Sequence, residues 1–436
     1  MSGAAWTGVA VAGVTAAYAL VSRRLTGTPV SAAMWFVGCG ILIGPVGLDL
    51  VSLGQDTEQL RTLVEAALTL VLFTDATTVR WPDLRSGGAL PGRLLSVGLL
   101  LTIGAGWLLA WPLLPGLSVW ELALVGAILA PTDAALGKSA ISDTRVPSLV
   151  RQALNVESGL NDGLVLPFFV LFLAAVPGTS YAQEGMSGAF WRALLFSPAI
   201  GVAVGGIGGR LLTLSHDRGW VTGEWRQLFV LADAVGAYML GAVTDGSGFI
   251  AAWVAGLFFA QALRGGGSSR PLDVTATTEL SEYLGGMLGL LSLTFFGAVL
   301  LGPALEHLSW RIVGYAVLSL TVIRMVPVAL ALAGGRLKPP TVAYVGWFGP
   351  RGLASVVFGL LVAEEHIHGV GLISDVVSVT VGLSVLLHGT SAAGLAARYG
   401  RWYERAAAAD PELRESAVTA VTPRRRRLGP FEHAEG

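Results

Sequence analysis

The chain has 436 residues, 53% of them hydrophobic and 13% charged, with a mean hydropathy of +0.67. A soluble domain carries about 25% charged residues, so this composition excludes a soluble globular enzyme and indicates an integral membrane protein. The net charge of −1 is uninformative by itself, because in a membrane protein the placement of charge matters more than its sum, and the single Cys39 excludes an intrachain disulfide framework or a cysteine metal centre.

A membrane span takes about 20 mostly apolar residues. In chain order, the intervals that qualify are 4–22, 29–47, 58–79, 93–113, 119–137, 148–176, 188–209, 226–243, 246–263, 278–302, 309–333, 341–362 and 371–397. The first lacks a basic n-region and is expected to be retained as a span rather than cleaved. The fold expected is an all-α polytopic membrane protein of about thirteen transmembrane helices, with a membrane domain over residues 1–400 and a charged cytoplasmic tail over 401–436.

Charge placement orders these spans. Arg23 and Arg24 follow the first, and Asp49, Asp56 and Glu58 follow the second. Arg80, Arg85 and Arg93 come next, then a connection with no basic residue, then Lys138, Arg145 and Arg151. Glu184 marks the next connection, followed by Arg210, Arg218 and Arg226, then a bare T-D-G-S-G. Arg264 and Arg270, then G-P-A-L-E-H, then Arg336 and Lys338, then E-E-H-I-H complete the series. The end of the chain holds Arg398, Arg401, Arg405, Arg414 and Arg424 to Arg427. Basic and non-basic connections alternate throughout, which by the positive-inside rule places the N-terminus outside and the C-terminus in the cytoplasm.

A charge at mid-bilayer costs about 2.5–3.5 kcal/mol on insertion scales and normally marks a pathway or a counter-ion. Asp75, Asp133, Glu157, Asp162, Arg324 and Arg351 all fall inside the intervals, as does Asp233, which reads as structural. The fifth interval runs L-V-G-A-I-L-A-P-T-D-A, and Pro131 removes a backbone donor, so the helix should break ahead of Thr132 and Asp133. The twelfth runs W-F-G-P-R-G-L-A-S, a second break seven spans later. Paired Gly/Pro-interrupted spans are the sequence mark of a transporter built from inverted repeats. Spans 1–6 and 8–13 would be the repeats and span 7 a linker, with the broken helices crossing and Arg351 offsetting their C-terminal dipole ends.

In the sixth interval, N-V-E-S-G-L-N-D-G sets Ser158 and Asp162 on one helical face as i and i+4. Glu157 and Asn161 form a second such pair, rotated by about 100°. Ser158, Asp162, the Thr132 carbonyl and Asp133 offer hard oxygen ligands, suited to an alkali cation. Glu157 requires a cationic partner, and Arg324 is the best candidate for a fixed ion pair. Burial favours a protonated carboxylate, whereas a bound cation favours an ionised one, so proton and cation would compete for one site. His366 and His368 read as solvated and His388 as a packing residue.

The elements A-P-T-D-A, N-V-E-S-G-L-N-D-G-L-V-L-P, G-S-G-F-I-A-A-W-V-A-G-L, W-F-G-P-R-G-L-A-S and L-V-L-F-T-D-A resemble those of NhaP-type sodium/proton antiporters of the monovalent cation:proton antiporter family, over residues 5–400 and in order. The resemblance implies that Asp162 is the principal cation- and proton-binding carboxylate. It implies that Ser158, Thr132 and Asp75 complete the shell, that Asp133 acts from the unwound helix, and that Glu157–Arg324 is a structural bridge. Asn161 beside Asp162 is associated in this group with electroneutral one-for-one exchange of Na+, with Li+ or K+ also compatible, for H+. The resemblance also implies a homodimer in the cell membrane, elevator-like movement of a six-helix core, and no cofactor or nucleic-acid partner beyond the transported ions. An ion-coupled symporter of an organic solute would need a recognition cluster beyond the ion shell. A channel shares the same polar path. A retinal pump would need a lysine within a late span, and both lysines, Lys138 and Lys338, fall in connections.

Overall fold

The computed structural model describes residues 3–25, 28–51, 57–79, 90–133, 136, 143–179, 182, 191–265, 272–365, 367–410 and 412–417. Arg80, Arg85, Lys138, Arg270, His366, Arg424 to Arg427, Asp56 and Glu184 lie outside the described residues. The fold is all-helical among those described. In chain order the helices are α1 (Gly3–Leu25), α2 (Ala32–Ile43), α3 (Thr57–Thr78), α4 (Leu90–Leu113), α5 (Val119–Ile128), α6 (Ser148–Ala175) and α7 (Leu194–Asp217). There follow α8 (Gly223–Val243), α9 (Gly248–Gly265), α10 (Val274–His307), α11 (Trp310–Leu332), α12 (Pro339–Trp347), α13 (Leu353–Glu364) and α14 (Val370–Ala409). Eight of them, among the described residues, are long and apolar enough to cross a membrane, and α2, α5 and α13 are shorter apolar helices. The protein is therefore a multi-pass integral membrane protein.

Sequence chemistry accounts for the two breaks. α5 starts at a capping box, in which Ser118 Oγ accepts from Glu121 N and Glu121 Oε2 accepts from Ser118 N at 2.7 Å. It stops at Ile128, because Pro131 cannot donate to the next turn. α12 stops at Trp347 and α13 begins at Leu353, with Gly349-Pro350-Arg351-Gly352 between them. The predicted fifth and twelfth intervals are thus broken where expected.

The breaks sit in a packed interior. α5 is buried along its length from Glu121 to Ile128, and α6 buries most of its residues. α7 lays Gly201, Gly205 and Gly209 against Ala251, Ala255 and Phe259 of α9, so their backbones meet closely. Small residues permit that approach where lipid supplies no hydrophobic drive between helices. α3 packs on α9 and α10, and Tyr315 Oη of α11 donates to the Gly106 carbonyl of α4 at 3.0 Å. Apolar side chains such as Leu20, Leu108, Trp111, Val243 and Trp310 face outward, as a lipid-facing surface requires.

The chain end departs from a simple tail. α14 continues past residue 400 to Ala409, and residues 412–417 return to the bundle. Glu415 is buried there, its Oε1 accepting from Lys338 N at 2.8 Å and from Thr341 Oγ1 at 2.7 Å. A carboxylate thus caps the N-terminus of α12, where Pro339 and Pro340 lack donors and Lys338 provides no side-chain cap. Tyr399 Oη lies 3.0 Å from the same Thr341 hydroxyl, and Tyr399 stacks between Tyr344 and Trp402. Glu415→Ala is expected to destabilise the folded protein by about 1–3 kcal/mol, the cost of leaving buried donors unmade. Thermal unfolding in detergent measures this, and an unchanged midpoint would show the cap to be dispensable.

Candidate functional site

The two breaks cross and satisfy each other. Arg351, fully buried, turns Nη1 to the carbonyls of Ala130 at 3.0 Å and Pro131 at 3.2 Å, and Nη2 to the Ser319 carbonyl at 3.5 Å. Those first two carbonyls follow the C-terminal end of α5, the negative end of its dipole. Ser355 Oγ donates to the Ile128 carbonyl at 2.7 Å. In return, Asp133 N donates to the Pro350 carbonyl at 2.8 Å, and Asp133 Oδ2 accepts from Leu353 N at 3.2 Å, at the positive N-terminal end of α13. Arg351, expected from sequence to offset both helix ends, contacts the carbonyls at the α5 end. Asp133, expected to act on an ion, here turns one oxygen to a helix end.

Both glycines of the break are needed for this approach. A Cβ at Gly352 would collide with the Asp133 carboxylate, and one at Gly349 would collide with the Arg324 guanidinium.

Arg324 lies on α11 three residues after Thr321, where that helix is interrupted, and three before Pro327. It forms a two-point ion pair with α6: Nη1 donates to Glu157 Oε1 at 2.5 Å and Nη2 to Glu157 Oε2 at 2.9 Å. Both residues are 3% exposed.

Four of the other expected residues lie together. Thr132 Oγ1, Ser158 Oγ and Asn161 Nδ2 converge, with Thr132–Ser158 at 3.3 Å and Asn161 Nδ2 donating to Thr132 Oγ1 at 2.6 Å. Asn161 Oδ1 is buried without a hydrogen-bond partner among the described residues. Asp162 follows in the next position of α6 and is buried. Asp75, also buried, reaches α6 at Gly159, on the face that carries Asp162 one turn later. The set therefore joins the unwound end of α5, the middle of α6 and the last turns of α3.

Several contributors were not singled out from sequence. Arg264, read only as a loop charge, donates Nη1 to Val79 O and Nη2 to Thr77 O, each at 2.7 Å, so it caps the α3 end one turn after Asp75. Glu121 is buried, and besides closing its capping box it accepts from Gly369 N at 2.8 Å, tying α5 to the start of α14. The S-x-x-E spacing of Ser118 and Glu121 carried that capping signal. The Trp253 ring of α9 covers Gly163, next to Asp162. Outside the spans, the hydrogen bond from Arg145 holds the Asp143 carboxyl below the usual carboxylate range, which keeps a charged pair ahead of α6. No group of three or more His, Cys, Asp or Glu able to hold a metal ion occurs among the described residues.

The sequence profile described as "Sodium/hydrogen exchanger, transmembrane" matches residues 10–398. The chain belongs to the sodium/hydrogen exchanger family. It is 25% identical over 397 residues to a K(+)/H(+) antiporter NhaP of Alkalimonas amylolytica, across 88% of this chain and 64% of that protein. It is 27% identical over 291 residues to Na(+)/H(+) antiporter 2 of Zygosaccharomyces rouxii, across 60% of this chain and 34% of that protein. The chain thus spans less than two thirds of these curated relatives. The fold of this chain is that of the sodium proton antiporter MjNhaP1 of Methanocaldococcus jannaschii, with a TM-score of 0.76 at 19% identity, covering 91% of this chain and 98% of that one. Sodium/hydrogen exchangers are transporters, which agrees with the reading of this chain as a carrier rather than an enzyme.

Glu157→Ala and Arg324→Ala are each expected to cost about 3–5 kcal/mol, because each strands a buried charge. The double variant should cost clearly less than the two together. Additive losses in detergent unfolding would show that the two residues do not act as a pair.

Proposed function

We propose that this chain exchanges a monovalent cation for a proton across the cell membrane, one for one and without net charge movement. In this reading Asp162 carries either the proton or the cation. Ser158, Thr132 and Asn161 supply neutral oxygens to the cation, and Asp75 borders the shell. Asp133 and Arg351 hold the crossing that presents Thr132, and Glu157–Arg324 is a fixed pair. With one exchangeable carboxylate, the loaded site has the same charge with H+ as with Na+, so the membrane potential gives neither leg an advantage. The membrane domain would have thirteen spans, with the N-terminus outside and the C-terminus in the cytoplasm. It would form a homodimer and alternate access by elevator-like displacement of the helices that carry the site.

The observation that supports this reading is the convergence of Thr132, Ser158 and Asn161 beside buried Asp162, with Asn161 Oδ1 left as a buried acceptor. A hard, dehydrated cation is satisfied by such neutral oxygens together with one carboxylate. A bound cation also displaces the proton from that carboxylate. Sodium and potassium both stay in view: the relative from Alkalimonas amylolytica is named a K(+)/H(+) antiporter and that from Zygosaccharomyces rouxii a Na(+)/H(+) antiporter.

The test uses proteoliposomes with an internal pH dye and an imposed proton gradient. Sodium, lithium, potassium or choline is added outside, with the membrane potential clamped or free. Alkali-cation-dependent proton movement that ignores the potential is expected, and Asp162→Asn should abolish it while the protein remains folded. Proton movement that follows the potential would overturn electroneutral exchange, and full activity in Asp162→Asn would overturn the site.

A further inference from the structure

In an unbroken helix the Trp347 carbonyl would accept from Arg351 N, four residues on. The break removes that bond, and both groups are deep in the bundle. Two side chains one turn apart on α14 stand in the gap. Arg351 N donates to Ser384 Oγ at 2.7 Å. Ser384 Oγ lies 3.2 Å from His388 Nδ1, and His388 Nε2 lies 2.9 Å from the Trp347 carbonyl. His388 Nδ1 is also 2.9 Å from the Ser384 carbonyl. Ser384 is wholly buried and His388 is 1% exposed.

Both carbonyls that face the ring only accept, so a single ring proton serves one of them. With the proton on Nε2 the ring donates to Trp347 O, and Nδ1 is free to accept from Ser384 Oγ, whose oxygen already accepts from Arg351 N. That tautomer completes a chain from Arg351 N through Ser384 and His388 to Trp347 O. Trp347 itself is fixed on both sides. Its ring lies 5.2 Å from the His388 ring, its Nε1 donates to Ser391 Oγ at 3.0 Å, and its carbonyl also receives Gly349 N at 2.8 Å.

We propose that His388 and Ser384 are positioning residues for the cation site, replacing the Trp347–Arg351 helical bond that the break removes. By fixing the span of the break, they fix where Arg351 meets the Ala130 and Pro131 carbonyls and where Leu353 N meets Asp133. His388 is then more than a packing residue. The inference rests on the exchanger reading with its site at this crossing, so wild-type exchange and its loss in Asp162→Asn are measured first in the same vesicles.

The decisive variants are His388→Leu, which keeps bulk but no hydrogen bond, and His388→Gln, whose amide N–H can still reach Trp347 O. In His388→Leu the half-saturating cation concentration is expected to rise about tenfold, the scale of one lost buried hydrogen bond. The pH profile of exchange should move with it, because cation and proton share the site. His388→Gln should recover most of that loss. If His388→Leu lowers only the unfolding temperature, while half-saturation and pH profile per folded molecule stay wild-type, the residue is structural and the proposal falls. Should His388→Leu not fold, Ser384→Ala removes one hydroxyl from the same chain and should raise half-saturation in the same direction. A wild-type value in Ser384→Ala overturns the proposal. Absence of cation-dependent proton movement in the wild type would instead overturn the exchanger reading.

Discussion

Two helices that stop in mid-bundle leave bare carbonyls at one end and bare N–H groups at the other, and the rest of the site depends on how those ends are satisfied. Here each break caps the other. The Arg351 guanidinium takes the carbonyls beyond α5, and the Asp133 carboxylate takes the first N–H of α13. Both charges complement the helix ends they meet. Neither helix could stop where it does without its counterpart, so the crossing is a single unit although its parts lie more than two hundred residues apart in the chain.

That arrangement separates fixed charge from exchangeable charge. Glu157 and Arg324 are matched oxygen for nitrogen and nearly sealed from solvent, so removing either charge would strand the other. Arg351 is held at carbonyl oxygens and Asp133 at an N–H. The proposed exchange is assigned to Asp162, which neighbours hydroxyl and amide groups that change no charge when an ion leaves. A site of this kind can exchange H+ for a cation without disturbing the charges that hold it together.

Much of this was legible in the sequence. Pro131 and the G-P-R-G element announce the breaks because a missing donor has a local effect. A buried carboxylate demands a cation, which points from Glu157 to Arg324. Asn161, Ser158 and Asp162 follow from helical spacing. The unread parts are those where periodicity gives a residue's face but not its neighbour. His388 reads as an apolar-helix histidine until α14 is laid against the break. Glu415 sits in a stretch rich in charge, where nothing local distinguishes a buried cap from a solvated side chain. Arg264 reads as a topology signal, yet its guanidinium reaches the α3 end. In each case the meaning comes from a partner helix whose register the sequence does not state.

The same geometry bears on how such a site could move. Closing the gap between Trp347 and Arg351 into regular helix would restore one backbone bond. It would also withdraw Arg351 from the Ala130 and Pro131 carbonyls and Leu353 N from Asp133, leaving a buried guanidinium and a half-buried carboxylate to find new partners. Pro350 offers no donor to such a helix in any case, and Gly349 and Gly352 give clearance only to the crossed arrangement. One recovered neutral hydrogen bond is worth about 1 kcal/mol, against several for the buried Arg351 guanidinium left without its carbonyls. Rewinding the break is therefore the costly route. Displacement of the crossed helices with their caps intact keeps every one of these contacts, so the proposed alternation of access is better served by movement of the site as a body than by refolding within it.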